Sequence, residues 1–251
     1  ELAKAPRPYI KIAGVCGRTP QALAEAELAL KHGYHCGLLS LGAWKGEEEA
    51  AILEHVRTVA ATIPVVGFYL QPSVGGRIFS YGFWRKFAEI ENIVAIKIAP
   101  FNRYQTIDVV RAVSDAGRED IALYTGNDDT IVADLLTPFR FEGRTRRIVG
   151  GLLGHWGVWT QKSVALLNEI KALGDGPVDR EWFARAVEVT DMNAALFDPA
   201  HRFAGCIPGI LEVLRRQGLV PTINCLNPHE VLSPGQAEEL DRVCKAYPHL
   251  I

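Results

Sequence analysis

The sequence holds a single methionine, no CxxC spacing, no marked excess of either charge and no apolar run of membrane-spanning length. Each lack narrows the field. The five cysteines (Cys16, Cys36, Cys206, Cys225 and Cys244) are odd in number and scattered. That pattern argues against a disulfide framework or a zinc cage and makes a reducing cytoplasm the expected compartment. A net charge of −2 carries no electrostatic footprint for nucleic acid or for an anionic membrane. Gly, His, Lys or Arg interrupts every candidate span, and no signal peptide is recognisable. The first residue is Glu1 rather than Met, on what reads as the tail of a helix.

What is present is a large core and a repeated alternation. The 251 residues are 48% hydrophobic, enough for one large α/β domain or two small ones. From residue 9 to about 173, short apolar runs alternate with helical periodicity. The runs are YIKIAGVCG (9–17), HCGLLSLG (35–42), PVVGFYL (64–70), IVAIKIA (93–99), IALYTG (121–126) and RIVGGLLG (147–154). The first helix has Thr19 as its expected N-cap, Pro20 at the first position and Gly33 as its stop. Beyond about 175 the pattern changes to three helices, the last with Ser233 and Gln236 spaced as a capping box.

Six consecutive βα units suit a doubly wound sheet or a (β/α)8 barrel. A closed barrel needs eight. A barrel over 1–174 would therefore lack its first two βα units, about 60 residues at typical barrel size, with 175–251 as a C-terminal three-helix extension.

Lys97 stands alone in an otherwise apolar strand. A buried ammonium is costly unless paired or deprotonated. Alternation predicts that Lys97 faces the barrel interior with Ile93, Ala95 and Ala99, leaving Val94, Ile96 and Ile98 against the helices. The same reasoning sets Tyr69 inward with Val65 and Gly67, where the glycine leaves room. A lysine so placed has a known use: the neutral amine attacks a carbonyl, a Schiff base forms, and the protonated imine serves as an electron sink. A nearby phenol relays the protons. The residues allow a plainer alternative, in which Lys97 snorkels and Tyr69 is core with a satisfied hydroxyl.

At these residues the sequence resembles the dihydrodipicolinate synthase/N-acetylneuraminate lyase family of pyruvate-dependent class I aldolases, along essentially the whole chain. IPVVGFYLQPSVGG is similar to the family's Pro-Val-x-x-Tyr-Asn-x-Pro segment, NIVAIKIA to its Asn-Ile-x-Gly-x-Lys strand, YTGNDD (124–129) to its Ser-Gly-Asp-Asp turn, and RIVGGLLG to its glycine-bearing last strand. PYIKIAGVCGRTPQALAEAELALKHGY is similar to the third strand and helix, and MNAALF…PGILEVLRRQGLV to the terminal helices. The resemblance implies a (β/α)8 barrel, Lys97 as the Schiff-base lysine and Tyr69 as the proton relay. It further implies Gly126 and Gly151 beside the keto acid, no metal or organic cofactor, and a homotetramer built from dimers. The substrates implied are pyruvate or a related 2-oxo acid and an aldehyde. The family's Gly-Thr-Thr-Gly-Glu-like loop has no counterpart here.

Other departures bear on the substrate. Leu70 stands where the family has asparagine, and Val74 where true dihydrodipicolinate synthases carry an arginine that grips a carboxylate. Arg77 lies further along. Ala43 and Trp44 replace paired tyrosines. The expectation is a lyase, aldolase or dehydratase outside lysine biosynthesis. The alternatives are a barrel of the same family that binds a small metabolite without turnover, and an open-sheet protein with a structural Lys97. His155 reads as a satisfied rim histidine, Asn127–Asp129 as capping groups, and Arg144, Arg146 and Arg147 as solvated surface.

Overall fold

The computed structural model describes residues 2–251. The alternation expected from the sequence is present: β1 (Ile12–Val15), α1 (Thr19–Lys31), β2 (Cys36–Leu39), α2 (Glu49–Ala60), β3 (Val65–Leu70), α3 (Tyr81–Ala88), β4 (Ile93–Ala99), α4 (Arg103–Asp115), β5 (Ala122–Thr125) and α5 (Ile131–Leu136). A hairpin, β6 (Phe139–Phe141) with β7 (Arg144–Arg146), precedes β8 (Gly150–Gly151) and α6 (Thr160–Leu173). The three C-terminal helices are α7 (Glu181–Phe197), α8 (Cys206–Arg216) and α9 (Gln236–Ala246).

The sheet order is β1-β2-β3-β4-β5-β8. Neighbours in space are neighbours in sequence, apart from the inserted hairpin. A doubly wound sheet reverses its strand order at a switch point; a (β/α)8 barrel does not. The order is therefore that of a barrel, with six of its strands present here and C-terminal helices following. The chain divides into two compact units, one of residues 1–124 with 139–149 and one of residues 125–138 with 150–251.

Local expectations fail where a side chain has found another partner. Thr19 is not a cap: Arg18 holds that position, and Thr19 Oγ1 pairs with Nδ1 of buried His55 at 2.9 Å. Gly33 does end the first helix region with a left-handed φ of 69°. Ser233 gives its hydroxyl to Asp198 at 2.5 Å and its N–H to Gln236 Oε1 at 3.1 Å, so only the returning half of the capping box forms. Asn127 does not cap α5, whose N-cap is Thr130. It donates instead to Asp134 Oδ2 at 3.0 Å. Nor is the arginine cluster simply solvated. Arg144 donates to Ser114 O at 2.7 Å and Arg146 to Ile121 O at 2.8 Å, tying the hairpin to backbone carbonyls of the first unit.

Candidate active site

The register of β4 on β3 decides which side chains meet. Val65 pairs with Ile93 but Val66 with Ala95, which leaves Val94 unpaired as a bulge, 39% exposed. Beyond it Phe68 pairs with Lys97 and Leu70 with Ala99. Paired residues on adjacent strands share a face. On that face Cys36, Val66 and Ala95 form a buried cluster, with Ile12, Leu38, Ala122 and Tyr124 packed against it. Phe68 and Lys97, two residues beyond Val66 and Ala95, continue the face. Lys97 is half-buried, and its Nζ lies 4.5 Å from the Phe68 ring centroid, a cation–π geometry.

Tyr69 is on the other face, so the expected pairing of Tyr69 with Lys97 does not form. It is fully buried, with its ring 5.0 Å from Trp84 and 6.0 Å from Phe79. Its hydroxyl accepts the Phe79 N–H at 3.4 Å, and burial pushes its pKa up to about 12. Gly67 shares this outer face: a Cβ there would lie 2.7 Å from the Phe87 ring. The glycine therefore admits α3 rather than a ligand. The cause is α3, which brings Phe83, Trp84 and Phe87 against the sheet. Because β3 is apolar on both sides, alternation alone leaves its inward side undetermined. The phenol on the face of Lys97 is Tyr124.

A cleft opens at the C-terminal ends of β2 and β3, lined by Ser40, Leu41, Phe68, Leu70, Arg77 and Phe79. Chemistry on parallel barrels sits at this end of the strands. The loop after β3 reaches the cleft through two glycines. Gly75 takes a φ of 106°, and Gly76 passes so close to the strand that a Cβ would lie 1.7 Å from Leu70 O. Gly76→Ala should therefore displace the loop while β3 stays in place. Limited proteolysis between residues 71 and 79 should become faster, and an unchanged cleavage rate would overturn this account of Gly76. The loop ends on Arg77, whose Nη1 donates to Glu47 O at 2.7 Å and Lys45 O at 3.2 Å, with Trp44 O at 3.4 Å. Val74 points to solvent, 47% exposed.

The other two expected site residues belong to the second unit. Gly126 is buried. The space a side chain on Gly151 would take is filled by Leu153 at 3.0 Å and Trp156 at 3.2 Å. Gly151 thus serves close packing of its own loop. His155 is satisfied as expected, its Nδ1 2.7 Å from Asn193 Oδ1. The amide nitrogen of Asn193 donates to Asp128 O at 2.7 Å. Its Oδ1 must then accept, so the His155 proton sits on Nδ1. Burial lowers the His155 pKa to about 4, against the raising effect of the Asn193 bond.

Among the described residues no cluster of three or more His, Cys, Asp or Glu is arranged to hold a metal ion, and no helix is long and apolar enough to cross a membrane. The alternation of β5 could have found Tyr124; nothing in the two-sided apolar β3 marked Phe68, and nothing local marked Ser40 or the place of Arg77 in the cleft.

The chain's fold is shared with solved dihydrodipicolinate synthases. That of Oceanobacillus iheyensis superposes with a TM-score of 0.71 at 20% identity, covering 95% of this chain and 73% of the other. The enzyme of Acinetobacter baumannii, solved in complex with pyruvate, gives 0.72 at 19% identity over 93% and 73%. The enzyme of Cyanidioschyzon merolae, solved with lysine bound, gives 0.67 at 22% identity over 96% and 74%. Neither a family sequence model nor a curated protein sequence matches the chain. At these identities the likeness establishes the fold.

Proposed function

We propose that the chain is a Schiff-base-forming lyase or aldolase of the dihydrodipicolinate synthase type, acting on pyruvate or a related 2-oxo acid through Lys97. The observation that carries this reading is Lys97 itself, at mid-strand on the inner face between Ala95 and Ala99, with Nζ over Phe68. The neutral amine adds to the keto carbon, the carbinolamine hydroxyl takes up a proton and leaves as water, and an iminium remains. Loss of a proton from the adjacent carbon sends its electron pair into the iminium and yields an enamine that attacks an aldehyde. The reverse order cleaves a carbon–carbon bond. The iminium is the electron sink, so the chemistry calls for no metal or organic cofactor. Tyr124 takes the proton-relay role in this reading, in place of Tyr69. The fold shared with a synthase solved with pyruvate supports the substrate class.

The exposed Val74 speaks against the carboxylate grip of the lysine-pathway enzyme, so the second substrate differs. A cytoplasmic homo-oligomer, dimer or tetramer, goes with the reading. The outward turn of Tyr69 favours a second one, in which the barrel binds a small metabolite without turnover. Borohydride reduction in the presence of pyruvate separates them. The full-length protein should gain one reduced pyruvyl group, mapped to Lys97, and Lys97→Ala should gain none. Folded protein that forms no adduct with any 2-oxo acid would leave only the binding role.

A further inference from the structure

The cleft at the ends of β2 and β3 and the amine of Lys97 are separate places that share one side chain. Lys97 does not line the cleft. Phe68 does, and it also carries Lys97 Nζ 4.5 Å from its ring centroid. The register sets this up, because Phe68 pairs with Lys97 across β3 and β4 and both stand on the inner face.

Along its own strand Lys97 is flanked on that face by Ala95 and Ala99, both buried and both small. The body of a captured molecule has room over these methyl groups. On the β3 side the neighbour of Nζ is the Phe68 ring. The cleft that the same ring lines encloses about 250 Å³ of unfilled space, part of it open to solvent, with Leu41, Leu70 and Phe79 as its other apolar walls. A ring that touches both the nucleophile and an unfilled apolar cleft is a partition between them. Its cation–π contact with Nζ helps to hold it there.

We infer that Phe68 is the specificity residue of this site, limiting the length of the carbonyl compound that Lys97 captures by closing the cleft to any chain that extends beyond the carbonyl. Its bearing on the substrate rests on the reading of Lys97 as the Schiff-base lysine. It assigns the substrate as pyruvate or its nearest homologues. The cleft is then the room that a longer apolar chain would occupy if the ring were smaller.

The test compares pyruvate with 2-oxohexanoate, which differ only in the length of an unbranched alkyl chain, by the concentration that half-saturates borohydride trapping on the full chain. Wild type should favour pyruvate by about ten-fold or more, the low end of what chain length is worth in a fitted apolar site. Phe68→Ala should abolish or reverse the preference. Phe68→Leu, which keeps more of the packing of β3, should reduce it in part and serves where Phe68→Ala does not fold. If the ring only packs the strand or tunes the amine, both variants will shift the two acids alike and leave their ratio unchanged, which overturns the inference. So does a wild type that traps the long acid as readily as pyruvate. An independent arm uses aldehydes and cyanoborohydride, with peptide mapping as the readout. The neutral amine adds to the aldehyde, takes up a proton and loses water to give an iminium, and hydride from the reagent reduces it to a secondary amine. Acetaldehyde should mark Lys97 in all three proteins, and hexanal should mark it about ten-fold more slowly in wild type than in Phe68→Ala. That pattern supports the partition even if no 2-oxo acid forms an adduct, in which case the lyase reading alone fails. Equal marking by hexanal in all three removes the partition whatever pyruvate does.

Discussion

Tyr124→Phe should slow the exchange of pyruvate methyl protons with deuterated solvent by about 100-fold, the low end of what a positioned general acid–base group contributes. Tyr69→Phe should leave that exchange within about two-fold of wild type. The contrast follows from the faces of the sheet. Tyr124 packs on the inner cluster with Ala95, two residues from Lys97 along the strand. Tyr69 lies under Trp84 and Phe79, its hydroxyl bound to the Phe79 N–H and its proton held by burial up to about pH 12. A phenol so buried neither reaches the inner face nor gives up its proton near neutrality. Its loss should appear in stability instead, because the Phe79 N–H loses its acceptor, at about 1–2 kcal/mol. Exchange followed by proton NMR, with denaturant midpoints for both variants, tests the pair. Slow exchange in Tyr69→Phe with normal exchange in Tyr124→Phe would refute the assignment of faces to functions.

The second large effect is on stability against acid. His155 is neutral in the folded state because burial lowers its pKa from 6.5 to about 4. The unfolded chain binds that proton near pH 6.5. Above pH 6.5 both states are neutral at this site and the fold keeps its full stability. As pH falls from 6.5 towards 4 the unfolded state gains a proton that the folded state refuses, so stability is lost across that window. Below 4 both are charged and the loss levels off. At roughly 1.4 kcal/mol per pH unit the loss is about 3 kcal/mol. His55, whose pKa burial and Arg18 also lower, adds in the same direction. Glu212, held near 2 by its bond to Arg215 and then Arg216, acts at lower pH. Asparagine at 155 keeps a donor for Asn193 and cannot titrate. Denaturant midpoints between pH 7 and 4 should fall less steeply in His155→Asn than in wild type, and identical slopes would show that His155 carries none of the effect.

Much of this molecule is legible in its sequence. The six apolar runs became the six strands of the sheet, and the three C-terminal helices formed where their periodicity lay. A fully buried parallel strand advertises itself by composition, and a helix by its period. The inward direction of Lys97 was legible too, because small Ala95 and Ala99 flank it while large Ile96 and Ile98 alternate with it.

What the sequence could not decide was β3. Val65, Val66, Gly67, Phe68, Tyr69 and Leu70 contain no polar residue but the tyrosine, so neither face was marked as inner. Only packing against Phe83, Trp84 and Phe87 of α3 turned Tyr69 outward and Phe68 towards Lys97. The same holds for the caps and for Arg77. Thr19 and Ser233 each had a local bond available and took a tertiary one. Arg77 entered the cleft through a left-handed Gly75 and a Gly76 that no side chain could replace. Local periodicity specifies elements because it depends on neighbours along the chain. The facing of a two-sided apolar strand and the end point of a loop depend on what arrives from elsewhere, and only the folded chain supplies that.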